Sequence, residues 1–219
     1  MKKVVYKTSN LFTLKRYNDN NLNCQSYQYP LSYTIKSAII GSIIKVDGIE
    51  KAKDLFNKIK NMKIYVQFPK QFSKIGITQK RYSNAYYGKF NKLDREDLIK
   101  SNWKTTMGFR EYIFTDEIVF YIDNSIDDIE LYLKNIDALG TAESLVYLSS
   151  IEETNKLENV LVEWNKEDRV NTFEQADYTT KTTFDTVYMY SSKYKNISRR
   201  YMCCIKDIEI NDKVVVNEI

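Results

Sequence analysis

The side chains best suited to chemistry are basic and aromatic residues that alternate between positions 70 and 110. This segment of 41 residues holds ten Lys and Arg against three Asp and Glu. Cations neutralise phosphates, and exposed aromatic faces stack unpaired bases. The mixture therefore predicts a surface for single-stranded RNA, whose bases can be splayed out. The candidate contacts are Lys80, Arg81, Tyr82, Tyr86, Tyr87, Lys104 and Arg110. The alternative is that half of the aromatic residues pack a small core within the segment.

A second basic and aromatic group lies where the first predicted strand leads towards the first predicted helix. Lys15, Arg16 and Tyr17 end the strand, and Ser32 stands near the start of the helix. The N-terminus of a helix presents free backbone N–H groups and a positive dipole end, which suit a phosphate. The alternative is that Ser32 serves only as a helix cap.

Histidine is absent from all 219 residues. This excludes catalysis with a histidine base and removes the commonest transition-metal ligand. The sequence also contains no P-loop, dinucleotide-binding, nucleophile-elbow or zincin motif, and its three cysteines form no CxxC pair. We therefore expect no metal site and no cofactor. A metal-independent endoribonuclease stays open, with Tyr82 or Tyr112 acting beside Lys80 or Arg110.

Charge is divided unevenly along the chain. Residues 1–110 hold 22 basic and 7 acidic residues, a net +15, while residues 111–219 hold 11 basic and 22 acidic ones, a net −11. A codon bias towards lysine would explain the first half but not the second. The division predicts a basic surface for a polyanion and an acidic surface for partner proteins. The charged, polar start of the chain and the lack of a long apolar run predict a cytoplasmic protein without a membrane segment.

Hydrophobic periodicity supplies the elements that would position these residues. Alternation predicts strands over 4–15, 63–68, 109–114, 118–122 and 144–151. A helix follows Pro30, a second follows Gly48, and a third begins at a cap on Ser125. Beyond residue 152 the pattern predicts only short strands, over 160–164, 183–190 and 201–210.

The order of these elements is typical of an α+β fold with a ferredoxin-like or RRM-like antiparallel sheet. The predicted domain covers residues 1–152 and carries a basic insertion at about 70–108. Residues 153–219 form a small β-rich C-terminal extension in this interpretation.

Residues 4–152 resemble the Cas-five family of CRISPR-associated proteins, the RAMP-type subunit of type I Cascade complexes. The likeness is carried by LFTLKRY, YPLSYTIKSAIIGSII, FREYIFTDEIVFYI and NIDALGTAESLVYL. It implies an RRM-like domain whose insertion forms a β-hairpin thumb. It also implies binding of the crRNA five-prime handle, with Lys15, Arg16, Ser32, Tyr33 and Lys36 near it.

The same resemblance implies contacts with the backbone and large subunits of the complex, and it leaves a contact with target DNA open. Some relatives process crRNA themselves, but no histidine is present to match that variant. The leading hypothesis is therefore a non-catalytic RNA-binding subunit. The alternatives are the metal-independent endoribonuclease and a plain protein-interaction module.

Overall fold

The fold is α+β, with several largely antiparallel sheets and few helices. The computed structural model describes residues 1–16, 19, 23–82, 105–164, 172–187 and 198–209. In chain order its elements are β1 (Lys2–Thr8), β2 (Asn23–Cys24), α1 (Ser32–Asp47), α2 (Ile49–Asn61), β3 (Ile64–Val66), β4 (Ser73–Tyr82), β5 (Thr105–Phe114), β6 (Glu117–Ile122), α3 (Ile129–Lys134), β7 (Val146–Glu153), β8 (Lys156–Glu163), β9 (Phe173–Tyr178), α4 (Phe184–Val187) and β10 (Ser198–Glu209).

A four-stranded antiparallel sheet in the order β3-β6-β1-β7 forms the centre of the molecule. Val4 and Tyr6 of β1 and Phe120 of β6 are fully buried on one face, in the same core as the apolar side of α1. Tyr6 stacks on Phe120 with ring centres 5.8 Å apart. Its hydroxyl donates a hydrogen bond of 2.6 Å to the carbonyl of Leu133 in α3, which ties the sheet to that helix.

The first two helices match the sequence prediction. Ile35, Ile39 and Ile43 of α1 are completely buried, because the spacing of three to four residues puts them on one face. Gly48 separates α1 from α2 with a φ of +88°, a left-handed value that glycine adopts without strain, and its N–H donates to the carbonyl of Ile44.

The first strand and the start of the third helix differ from the prediction. The first strand ends at Thr8 and does not continue to Lys15. Ser125 is no helix cap, because its N–H bonds the side chain of Asp123 and α3 begins only after Asp128, whose φ is +58°. The apolar spacing of the third helix is nevertheless met, since Ile129 and its apolar neighbours at that spacing are buried.

The basic insertion is bounded by two long strands. β4 and β5 pair antiparallel without a register shift, from Ser73 opposite Phe114 to Tyr82 opposite Thr105. β2 adds a short parallel pairing on the other edge of β5. β5 begins at Thr105, four residues earlier than the alternation indicated. Residues 83–104 lie outside the described part of the chain.

A third sheet, in the order β8-β10-β9, is built from the C-terminal part of the chain. Leu161, Ala176 and Cys203 from its three strands belong to the same buried core as the central sheet and α1. The predicted strand over 183–190 is wrong at its start, where α4 forms, and residues 188–190 lie outside the described part. β9 was not predicted.

Candidate nucleic-acid interface

A groove of about 660 Å³ runs along the outer side of α1. We name it the α1 groove. Lys15 and Tyr33, both predicted contacts, line it together with Tyr27 and the turn at Gly140 and Thr141. The structure thus brings two of the predicted residues to one concave surface that also offers aromatic rings and hydroxyl groups.

Lys15 owes its place to a short antiparallel pairing of the segments around residues 14 and 26. Lys15 bridges to Ser26, the N–H of Tyr27 donates to the carbonyl of Leu14 at 2.9 Å, and the N–H of Leu14 donates to Oγ of Ser26 at 2.9 Å. These bonds fix the backbone on both sides of Lys15. The lysine therefore reaches the α1 groove from a rigid segment.

Gly140 lines the groove at a position that does not suit a residue with a side chain. Its φ is +87°, and an added Cβ would lie 2.7 Å from Cδ2 of Leu14. Ser144 holds the same turn in place, since its Oγ accepts from the N–H of Thr13 at 3.1 Å and donates to the carbonyl of Thr13 at 2.8 Å. The Leu-Gly turn and the following serine, read in the sequence as a family motif, are thus packed against the segment that carries Lys15.

Arg16 lies beside the groove, with its guanidinium carbon 5.9 Å from the ring centre of Tyr27. This distance is within the range of a cation–π contact. Its Nε is buried and has no hydrogen-bond partner among the described residues. Tyr27 is itself anchored, because its hydroxyl donates to the carboxylate of Glu174 at 2.9 Å.

The start of α1 does not offer the phosphate site that the sequence suggested. Ser32 is 1% exposed, and its N–H donates to Oε1 of Gln175 at 2.8 Å. The helix begins after Leu31, with no side-chain cap. A protein amide from β9 therefore occupies the position that an anion would take.

Lys36, another predicted contact, points into the protein. Its side chain is 2% exposed, and its ammonium donates to the carboxylate of Asp177 at 2.6 Å and to the carbonyl of Lys60 at 2.8 Å. Burial lowers the pKa of Lys36, and the neighbouring carboxylate opposes that change. Lys36 thus joins α1 to β9 in the interior of the protein and is not part of the α1 groove surface.

Arg110 is held within the chain by the carboxylate of Glu143, in the loop that follows Gly140. Burial lowers the pKa of Arg110, but Glu143 and then Tyr112 outweigh it, so the net change is upward. Arg110 therefore links β5 to the wall of the α1 groove.

The remaining predicted contacts belong to the insertion. Lys80, Arg81 and Tyr82 lie on β4, opposite Met107, Thr106 and Thr105, and their side chains lie outside what the structure describes. Tyr17, Tyr86, Tyr87 and Lys104 also lie outside the described residues.

Among the residues that line the α1 groove, Tyr27, Lys45 and Thr141 are polar or aromatic side chains that sequence reasoning did not single out. The one signal for Tyr27 was its place in an aromatic stretch just before Pro30. In the described part of the chain, no group of three or more Cys, Asp or Glu residues is arranged to hold a metal ion. No helix in that part is long and apolar enough to cross a membrane.

Comparison with known proteins gives no family model and no curated protein that matches the chain. Among solved structures, a chain of a CRISPR RNA-guided surveillance complex is 13% identical, with a TM-score of 0.50 over 96% of this chain and 91% of its own. A chain of the Csm3–Csm4 subcomplex in a type III-A CRISPR-Cas interference complex is 16% identical, with a TM-score of 0.44 over 97% of this chain and 93% of its own. A CRISPR protein from Archaeoglobus fulgidus is 15% identical, with a TM-score of 0.39 over 74% of this chain and 67% of its own.

These structural neighbours are CRISPR-associated proteins. The resemblance stated from the sequence is confirmed at the level of the fold, which the chain shares with the surveillance-complex protein.

Proposed function

We propose that this chain is a non-catalytic crRNA-binding subunit of a type I Cascade complex, which caps the five-prime handle of the guide RNA. The observation that carries the proposal is the α1 groove, where Lys15, Tyr27 and Tyr33 surround a space of about 660 Å³. The shared fold with a chain of a CRISPR RNA-guided surveillance complex supports it.

The chemistry of the groove suits an unpaired nucleotide. Leu14 and Leu31 give it an apolar floor, the half-buried Tyr33 offers a ring face, and Lys15 supplies a cation for a phosphate. Such a mixture binds a splayed-out base better than a duplex, which hides its base faces. The handle of a guide RNA is a single strand of this kind.

The finer fold assignment belongs to the same proposal. The element order βααβ, hairpin, βαβ and the strand order β3-β6-β1-β7 support a ferredoxin-like arrangement of the central sheet. The ladder of β4 and β5 supports a thumb formed by the insertion. In this proposal Lys80, Arg81 and the other basic residues of the thumb extend the RNA contact beyond the α1 groove.

The partner subunits follow from the charge division. The acidic half of the chain, with a net −11 over residues 111–219, would face the backbone and large subunits, since opposite potentials steer association and suppress wrong partners. The basic half would remain for the RNA.

The test is retention of handle-bearing crRNA by the complex assembled with its partner subunits. Tyr33→Ala should weaken binding by about five- to a hundredfold, the loss of one stacked base. Lys15→Ala should reduce the slope of log affinity against log salt by about 0.7, the loss of one phosphate contact on a single strand. Lys51→Ala and Lys58→Ala on the exposed side of α2 are matched controls and should change nothing. Unchanged retention in both groove variants would rule the proposal out.

One observation keeps the endoribonuclease as a second candidate. Tyr112 lies close enough to Arg110 to influence its pKa, and Arg110 is oriented by Glu143. In its phenolate form Tyr112 could take the proton of an attacking 2′-hydroxyl, while the guanidinium of Arg110 stabilises the negative charge that develops on the phosphate. Incubation of precursor crRNA with the full chain decides between the two: a discrete cut that Tyr112→Phe abolishes would establish the enzyme.

A further inference from the structure

A second groove, of about 750 Å³, opens on the face of the central sheet opposite the helices. We name it the sheet groove. Lys3 and Lys7 of β1, Tyr147 of β7 and Phe114 at the end of β5 line it, and the connection from β3 to β4 forms one wall. The α1 groove lies on the other side of the sheet, so the two grooves are separated by the protein core.

The sheet groove is open because the extension covers only part of this face. Leu157 and Val160 of β8 pack on Tyr121 and bury it completely. Further along the sheet, Lys7 lies between Glu117 and Tyr147 in the strand register, and no described residue of the extension pairs with or packs on that region. Tyr147 is 51% exposed and Phe114 is 52% exposed. Two large aromatic side chains are therefore presented to solvent at the same concave site.

Cations and hydrogen-bond acceptors complete the groove. Among the described residues, Lys3, Lys7 and Lys70 take part in no ion pair, although all three line the groove. The acceptors are the exposed carboxylates of Asp116, Glu117 and Glu158. Gln67 also lines the groove, but its Oε1 is buried and has no donor among the described residues.

We propose that the sheet groove binds a second stretch of single-stranded nucleic acid and prefers bases that carry an exocyclic amino group. Lysines at the groove neutralise phosphates, and Phe114 and Tyr147 stack the bases. Tyr147 lies on the four-stranded sheet and Phe114 at the end of β5, so the two rings come from neighbouring sheets and line one groove, and exposed aromatic rings of this kind stack unpaired bases. The proposal goes beyond handle capping, since it places another strand on the opposite face of the protein.

The base preference follows from the acceptors. Adenine, cytosine and guanine each present an amino group that can donate to a carboxylate or an amide oxygen. Uracil presents two carbonyl oxygens beside its single N–H, and these would face the carboxylates of Asp116, Glu117 and Glu158 unfavourably. The groove should therefore discriminate against uridine-rich strands, although its lysines bind any phosphate backbone.

The test uses the full chain and short fluorescent homopolymers of adenine, cytosine and uracil, or thymine in the DNA series, with anisotropy as the readout. RNA and DNA versions of each are compared, because both carry the required chemistry and the tighter one identifies the strand. We expect cytosine and adenine strands to bind at least several-fold tighter than uracil strands. Phe114→Ala with Tyr147→Ala should lower cytosine binding about tenfold or more, and Lys3→Ala with Lys7→Ala should reduce the salt slope by about 1.4.

Isosteric variants test the acceptors separately. Asp116→Asn with Glu117→Gln keeps size but adds donors, so the preference against uracil should shrink. Lys51→Ala with Lys58→Ala removes the same number of charges from exposed α2 positions and serves as the control for the lysine pair. Urea midpoints check that each variant is folded, and the exposed positions of Phe114 and Tyr147 favour this.

Three results would overturn the inference. Affinity that survives in the Phe114 and Tyr147 variant but falls with Tyr33→Ala would leave the proposed function intact and remove the second site. An unchanged uracil ratio in the Asp116 and Glu117 variant would remove the base preference. A partner subunit that crosslinks in the sheet groove, with no effect of the variants on nucleic-acid affinity, would make this face a protein contact.

Discussion

Removal of one member of the buried ion pair between Lys36 and Asp177 should destabilise the protein strongly. The ammonium and the carboxylate are 2.6 Å apart, with side-chain exposures of 2% and 26%. Asp177→Leu leaves the ammonium with the carbonyl of Lys60 as its one hydrogen-bond acceptor among the described residues. An uncompensated buried charge costs about 3–5 kcal/mol, and the partial exposure of Asp177 places the expected loss near the lower end, about 3 kcal/mol. For a chain of this length, that corresponds to a fall in Tm of about 6–12 °C.

A double variant measures how far the effects of the two charges depend on each other. Burial raises the pKa of Asp177 and lowers that of Lys36, so it disfavours the charged form of each group, and each partner opposes the shift of the other. Lys36→Met with Asp177→Leu removes both charges and fills the space with apolar groups, so its stability should be close to that of the wild type. Lys36→Met alone should cost less than Asp177→Leu, because the N–H of Tyr178 still donates to Asp177.

Urea unfolding followed by circular dichroism at pH 7 measures all four proteins, with the m-value as a check on two-state behaviour. Losses that simply add in the double variant would refute the reasoning, because they would mean that the two charges do not depend on each other. A fall of less than about 1 kcal/mol in the free energy of unfolding of Asp177→Leu would also refute it, because it would mean that the ammonium of Lys36 is not buried.

Further predictions concern the α1 groove and α3. Gly140→Ala should cost about 1–2 kcal/mol, because its left-handed φ of +87° strains any other residue and the added Cβ meets Leu14; urea unfolding measures it. Ser144→Ala should cost about 1–3 kcal/mol, since it leaves a buried backbone N–H without an acceptor. The bond from the hydroxyl of Tyr132 to Asp47, followed by burial, raises the pKa of that tyrosine to about 12. The folded pKa exceeds the unfolded value of about 10, so this contribution is present below pH 10 and is lost as the pH rises through 12. Tyr132→Phe should flatten the decline of stability over that range, and an unchanged decline would contradict the assignment.

Hydrophobic periodicity predicted the helices and strands of the core well. Burial determines both the spacing of apolar residues in the sequence and the face of each element that packs in the core. Ile35 and Ile39 could be placed on the core side of α1 from their spacing alone. The same spacing could not show that Lys36 also points inward, because α1 is apolar on more than one side and the acid that receives the lysine lies far away in the sequence. β9 escaped prediction for a related reason: FEQADY reads as polar, yet Gln175 is 2% exposed and bonds the start of α1.

The candidate site could be predicted only where local sequence determines it. Lys15 was predicted as a contact from its residue type and neighbours, Tyr33 was expected from its position in the family resemblance, and the turn at Gly140 was expected from its Leu-Gly motif. Tyr27 and Lys45 join the α1 groove through pairings that depend on the whole fold. The sheet groove was invisible in the sequence, because its aromatic residues come from strands that are distant along the chain.

The partners in the Lys36–Asp177 ion pair are 141 residues apart. At the usual rates of synthesis, a ribosome needs roughly 7–28 s to add that length of chain. During this interval α1 can form, but the lysine on its inner side has no carboxylate to meet. The nascent protein therefore cannot complete its core until β9 has left the exit tunnel, because Ala176 and Tyr178 of that strand belong to the core.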